Sequence, residues 1–199
     1  MSVNLAIIYY SATGTNYQLA EWAKEAAEET GANVRLKRVE ELAPEEAIAS
    51  NPAWKEHFDE TKSIDVATSD DLEWADAILF TSATRFGGVA AQMKQFLDMQ
   101  GGLWANGKLI NKAVSAMSSA QNNNGGQEAS ILSLYTSLMH WGAVIVPPGY
   151  SDPVLFTTGG NPYGASVTVD GEGQMVNDIK PAVLHQAKRL VDIAGRIKQ

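Results

Sequence analysis

The 199-residue sequence predicts a doubly wound α/β fold. Short apolar runs recur along the chain, and longer stretches with helical apolar spacing separate them. Glycine and hydroxyl residues collect where the first run ends and a helical pattern begins. Strands that are apolar throughout belong in a parallel sheet covered by helices on both faces.

The elements follow in order. Leu5–Tyr10 is the first strand, and "SATGTN" (11–16) follows it. Leu19, Ala20, Trp22, Ala23, Ala26 and Ala27 then repeat at helical spacing until Gly31, a C-cap glycine. Asn33–Val39 alternates as a second strand, and Ala77–Thr81, Ala113–Ser118 and Ala143–Val146 supply three more. Val89, Met93, Phe96 and Leu97 mark one intervening helix; Ile131, Leu132, Tyr135, Leu138 and Met139 mark the next. The last helix opens near Pro181 and carries Val183, Leu184, Ala187, Leu190, Val191 and Ala194 on one face. Two stretches break the rhythm: an acid-rich insertion at about 40–73, and one at about 147–177 rich in Gly, Pro, Ser and Thr. No linker divides the chain, so residues 1–199 are expected to form one domain.

Composition narrows the function classes. Apolar residues make up 45% of the chain, enough for a sizeable core, and the formal net charge is −8. That charge argues against nucleic acid and anionic membrane surfaces as partners. There is no cysteine, which excludes disulfides, thiolate catalysis and cysteine-based zinc sites. No signal-peptide pattern is visible and no apolar run reaches the roughly 18–20 residues of a membrane span. The expectation is a soluble, cytoplasmic protein. His57 and His185 have no metal-ligand spacing with other candidates, so no metal is expected, and Trp54, His57 and Phe58 read as local packing within the acidic insertion.

The chemistry begins at Ser11, Ala12, Thr13, Gly14, Thr15 and Asn16. They lie at the carboxyl end of a strand and at a helix N-terminus, where unpaired N–H groups and the positive end of the dipole favour an anion. The segment lacks the lysine of a Walker A loop and the second glycine of a dinucleotide fingerprint. Tyr9 and Tyr10 stand where a phosphorylatable receiver would want aspartates. A plain helix N-cap would account for part of the pattern. Three hydroxyls and a glycine favour a phosphate monoester such as that of FMN.

Two later strand ends suit the rest of a flavin. Ala83, Thr84, Arg85, Phe86 and Gly87 can present amides and carbonyls to the pyrimidine edge, and Arg85 can stabilise negative charge developing there. Alone, Arg85 would read as a surface ion-pair residue. Ser119, Ala120, Gln121, Asn122, Asn123, Asn124 and Gly125 suit a ribityl wrap and a flexible polar turn equally well.

These pieces, with "TRFGGVAAQMKQFLDMQGGLWANGKL" (84–109), "SSAQNNNGGQE" (118–128), "LMHWGAVIVPPGY" (138–150) and "GGNPYGAS" (159–166), resemble the WrbA family of flavodoxin-like NAD(P)H:quinone oxidoreductases. The resemblance spans nearly the whole chain. It implies a flavodoxin-like five-stranded sheet in the order 2-1-3-4-5. It also implies bound FMN, with NAD(P)H as cosubstrate, ping-pong hydride transfer to the flavin and two-electron reduction of quinones. It further implies a homotetramer whose sites are completed by neighbouring subunits, with His140 near the flavin and Trp104 as an aromatic lid over the substrate space. By itself His140 reads as a helix-end residue, and Trp104 lies in what reads as a Gly-rich loop. Thr13 departs from the aromatic residue many members have there, the asparagine loop is one residue longer, and His140-Trp141 replaces a pair of histidines. A flavodoxin-type electron carrier is the rival function, suited by the acidic charge and the SATGT loop.

Overall fold

The computed structural model describes residues 2–198. Its strands are β1 (Asn4–Tyr10), β2 (Asn33–Arg38), β3 (Ala77–Arg85), β4 (Gly88–Val89), β5 (Ala113–Ala120), β6 (Val144–Ile145) and β7 (Ser166–Thr168). Its helices are α1 (Thr15–Glu29), α2 (Glu45–Ala49), α3 (Pro52–Thr61), α4 (Ser69–Trp74), α5 (Ala91–Asp98), α6 (Gly101–Ala105), α7 (Gln127–His140), α8 (Val154–Thr157) and α9 (Lys180–Ile197). The parallel sheet runs β2-β1-β3-β5-β6. Counted without the two-residue β4, this is the expected order 2-1-3-4-5, a flavodoxin-like arrangement.

Both faces are buried because alternate strand residues feed separate cores. Leu5, Ile7, Tyr9, Leu79 and Met117 pack against Leu19 and Ala23 of α1 and Val183, Ala187 and Leu190 of α9. Ala6, Ile8, Ile78, Phe80, Val114 and Ala116 pack against Met93 and Phe96 of α5 and Ile131, Leu134 and Leu138 of α7. This is the period-two geometry of a strand applied to a continuous apolar run. Gly31 ends α1 at φ +82°, donating to Glu28 O at 2.9 Å while Ala32 N reaches Ala27 O at 3.3 Å. That is a Schellman closure, for which a glycine is the natural residue.

The structure refines several expectations. The third strand continues past Thr81 to Arg85 and turns back through a tight hairpin into β4, so Thr84 and Arg85 are strand residues. Trp104 lies on the short helix α6 rather than in a loop. The acidic insertion folds into α2, α3 and α4.

The last position in the sheet is a broken strand. β6 pairs with Ala113 and Val114 at the start of β5, and β7 pairs with Ser118–Ala120 at its end. The chain between them leaves the sheet, and side chains fill the gap it leaves. Tyr135 Oη accepts from Ala116 N at 3.2 Å and donates to Tyr163 O at 2.6 Å. Gln186 Nε2 donates to Ala116 O at 2.9 Å and Ser115 Oγ at 2.7 Å, while its Oε1 accepts from Ala165 N at 2.7 Å. Burial pushes the Tyr135 phenol up to about 12, so it stays a donor at neutral pH. Unpaired backbone groups in this buried region would be costly, and these bonds remove that cost.

Gly164 seats the excursion on β5. A Cβ there would lie 2.0 Å from Ala116 O. Gly164→Ala is expected to lower unfolding stability by about 1–3 kcal/mol through overpacking, read as a lower urea midpoint; an unchanged midpoint would mean that the segment does not dock there.

Candidate functional site

The chain leaves β1 toward β2 on one side, while β3 joins β1 on the other. The crevice at such a switch point, outside the carboxyl ends of the strands, is where open α/β sheets take ligands. Three segments converge there: residues 11–16 after β1, the β3–β4 hairpin, and residues 119–126 at the end of β5.

The first segment is built to present donors. Gly14 adopts φ +96° and its N–H is held by Ser11 Oγ at 3.0 Å. Gln18 N reaches Gly14 O at 2.9 Å. Among the described residues, the N–H groups of Thr15, Asn16 and Tyr17 and the hydroxyls of Thr13 and Thr15 find no partner. Such a cradle of free donors at a helix N-terminus fits an anion. Asn16 contributes differently. Its side chain is buried, with Nδ2 donating to Ser119 Oγ at 2.8 Å and Oδ1 accepting from Thr81 Oγ1 at 2.9 Å. Its amide therefore braces the segment against β3 and β5, and only its backbone N–H faces outward chemistry. Ser119 is likewise buried and committed to this bond.

The second and third segments lock onto each other. Thr84 Oγ1 donates to Gly125 O at 3.2 Å, and Ser130 Oγ lies 2.7 Å from Thr84 Oγ1 and 2.9 Å from Gly88 O. A Cβ at Gly126 would stand 2.7 Å from Gly87 Cα, so the close approach requires glycine at position 126. Phe86 and Gly87, at φ +53° and +79°, form the two central residues of the hairpin turn. Holding a phenylalanine in the left-handed region costs about 1–2 kcal/mol, and the result is a fully exposed ring. Arg85 is exposed beside it, Ala83 and Gly87 are half-buried, and Ala120 is buried in β5. Gln121, Asn122, Asn123 and Asn124 stay at the surface. Asn122 O accepts from Gln127 Nε2 at 3.1 Å, and Asn123 Oδ1 accepts from Thr168 Oγ1 at 3.2 Å, tying this loop to β7.

His140 and Trp104 are not brought to these loops within one chain. His140 ends α7, and Trp104 Nε1 donates to its carbonyl at 2.9 Å. Nearby, Asn111 N reaches Gly142 O and Val144 N reaches Lys112 O, at the start of β5. Seven strand steps at about 3.3 Å each separate that edge from Ala120, about 23 Å. Trp141 is buried edge-on against Phe80, with centroids 6.3 Å apart, whereas His140 is exposed. Of the two, His140 is the residue free to meet a ligand.

The insertion supplies residues the sequence reading did not place at the site. Glu41 accepts from Tyr10 Oη at 3.2 Å and Trp54 Nε1 at 3.3 Å, and also from Gln92, joining β1, α3 and α5. Burial, and then the Glu41 carboxylate, raise the Tyr10 phenol well above its ordinary value. His57 packs against the first segment: a Cβ at Gly14 would lie 3.6 Å from its Nδ1. Trp54, His57, Phe58 and Thr61 do fall at helical spacing, but that spacing marks a packed face without naming what it packs on.

Known proteins resemble the chain over most of its length. A family model described as NADPH-dependent FMN reductase matches residues 3–152. An NAD(P)H dehydrogenase (quinone) of Deinococcus radiodurans is 52% identical over 195 residues, covering 98% of this chain and 97% of its own. One of Brucella abortus is 39% identical over 201 residues, covering 98% of each. Among solved structures, a flavodoxin, WrbA-like protein from Agrobacterium tumefaciens superposes with TM-score 0.67 at 21% identity, covering 98% of this chain and 99% of its own. An archaeal flavodoxin gives 0.57 at 17% identity, with 98% and 99% covered. The last two speak for the fold alone. The chain belongs to the NADPH-dependent FMN reductase family and has a flavodoxin-like fold.

Proposed function

We propose that this protein is an FMN-dependent NAD(P)H:quinone oxidoreductase that binds FMN at the switch point. The observation that carries the reading is the donor cradle at residues 11–16, lined by hydroxyls and free N–H groups and lacking a lysine or arginine. Neutral donors of this kind suit a small dianionic monoester. The relatives named as NAD(P)H dehydrogenase (quinone), similar over nearly their whole length, support the substrate classes.

In this reading Ser11, Thr13 and Thr15 donate hydroxyls to the phosphate, with the N–H groups of Thr13, Thr15 and Asn16. Ala12 and Gly14 give the segment its curl. Ala83–Gly87 supply the pyrimidine-edge contacts, with Arg85 favouring negative charge on that edge. Ser119–Gly125 border the ribityl chain, through backbone groups at Ser119 and Ala120 and through the exposed amides of Gln121 and Asn122–Asn124. Bound FMN supplies the redox chemistry, accepting hydride from a nicotinamide nucleotide and passing two electrons to a quinone. The chain positions the reactants, shields the ring from water and stabilises charge.

His140 and Trp104 enter through a neighbouring subunit. Within one chain they lie at the opposite end of the strands, and Trp104, Ile110, Met139 and Val144 leave apolar surface exposed on the segments that meet there. Homotetramerisation would carry that surface over another subunit's loops, adding the lid and the histidine to a ring otherwise open at Phe86.

Two measurements test the assignment. The FMN-loaded protein, mixed with NADH or NADPH and benzoquinone without any other reductase, is expected to oxidise nucleotide at a rate set by the quinone. No nucleotide-driven reduction would leave an electron carrier, the function that the net charge of −8 also suits. Thr13→Ala and Thr15→Ala are each expected to weaken FMN binding by about 1–3 kcal/mol, the value of a charge-assisted bond. Unchanged affinity in fluorescence titrations would remove the phosphate from this loop.

A further inference from the structure

The cradle contains no cation of its own, yet a titratable side chain from elsewhere in the chain is pressed against it. His57 belongs to α3, more than forty positions from the loop in sequence, and only 7% of its surface is exposed. Its Nδ1 lies 3.6 Å from where a Cβ of Gly14 would stand, at the middle of the loop. Its ring packs on Tyr17 in the first turn of α1, with centroids 5.6 Å apart, and Tyr17 in turn packs on Tyr9 at 5.3 Å. The imidazole also borders a cavity of about 20 Å³, shared with Tyr9, Ser11, Arg38, Glu41, Trp54 and Thr61.

We infer that His57 is the conditional countercharge of the phosphate loop: it takes up a proton when the FMN phosphate binds, and so makes cofactor affinity depend on pH. This rests on the placement of the FMN phosphate at residues 11–16.

The surroundings leave His57 free to respond. Arg38, at the end of β2, directs its Nε to Ile64 O at 2.9 Å, and the Glu41 carboxylate is taken by Tyr10, Trp54 and Gln92. From α1 the facing group is Tyr17, with Glu21 and Glu60 acting on that phenol. From β1 it is Tyr9, which burial keeps protonated. Burial lowers the proton affinity of His57, favouring the neutral imidazole in the free protein. A phosphate dianion arriving on the other side of the Gly14 backbone favours the imidazolium. Because the bound state then holds the proton more tightly than the free state, binding is strengthened at low pH. The gain is complete below the free-state pKa and is lost as pH rises through the bound-state pKa.

The test compares FMN with riboflavin, which lacks the phosphate, in fluorescence titrations of the wild-type protein and His57→Gln from about pH 5 to about pH 8. The second ionisation of the FMN phosphate, near pH 6, acts on both proteins and cancels in their ratio. For FMN, the ratio of wild-type to variant affinity is expected to fall about tenfold across this range, the change given by one unit of pKa rise. For riboflavin the ratio is expected to stay flat. A pH-independent FMN ratio would overturn the inference and leave His57 as packing. Failure of the wild type to bind FMN more tightly than riboflavin would overturn it through the underlying site assignment instead. Independently of any variant, the His57 imidazole resonances are expected to titrate at least about one unit higher with FMN bound than in the free protein; equal midpoints would contradict the proposal.

Discussion

The candidate site depends on one buried amide. Asn16 sits inside the first turn of α1 and sends both ends of its side chain away from the ligand side, to Thr81 on β3 and Ser119 on β5. A buried primary amide with unmet bonds would cost several kcal/mol, so the three partners must stay together. In doing so they fix the start of α1 over the ends of two neighbouring strands. The donors of residues 13–17 are thereby held in place before any anion arrives, which is what makes neutral groups effective: their orientation costs nothing at the moment of binding. The hairpin and the asparagine-rich loop are registered on the same strand ends through Thr84, Ser130 and the paired glycines at 87 and 126.

The far edge of the sheet solves a different problem. A strand interrupted by a long excursion should leave buried ladder groups open, and here Tyr135 and Gln186 close them from two helices on opposite faces. The same bonds hold the returning chain at Tyr163 and Ala165, so β7 re-enters the sheet beside Ala120. Thr168 can then reach the loop at Asn123. The excursion is thus coupled to the rim of the site without interrupting the core.

Much of this was legible in the sequence. Continuous apolar runs such as Leu5–Tyr10, set between helical spacings, gave the sheet and its layers because each strand is buried on both faces. The 11–16 segment was visible because a glycine and three hydroxyls at a strand end have few structural alternatives. The inward turn of Asn16 was not visible, since its partners lie 65 and 103 positions away. Nor was the approach of His57 to Gly14, which depends on how a folded insertion drapes over a loop. Trp104 read as a loop residue because two glycines precede it; the short helix forms despite their weak propensity, with only Leu103 half-buried against the core. His140 and Trp104 read as site residues by resemblance alone, and a single chain places them together at the opposite end of the strands from the loops at 11–16 and 119–126.

The preorganised, lysine-free cradle at residues 11–16 is the proposed phosphate site, and the ratio of FMN to riboflavin affinity in Asn16→Ala tests that assignment most directly. With the near-ultraviolet circular dichroism of the folded protein retained, the ratio is expected to drop by about tenfold or more, the value of roughly one charge-assisted bond lost with the orientation of the loop. Riboflavin affinity is expected to change little. An unchanged ratio would contradict the account, because the phosphate would then be held by groups that Asn16 does not position.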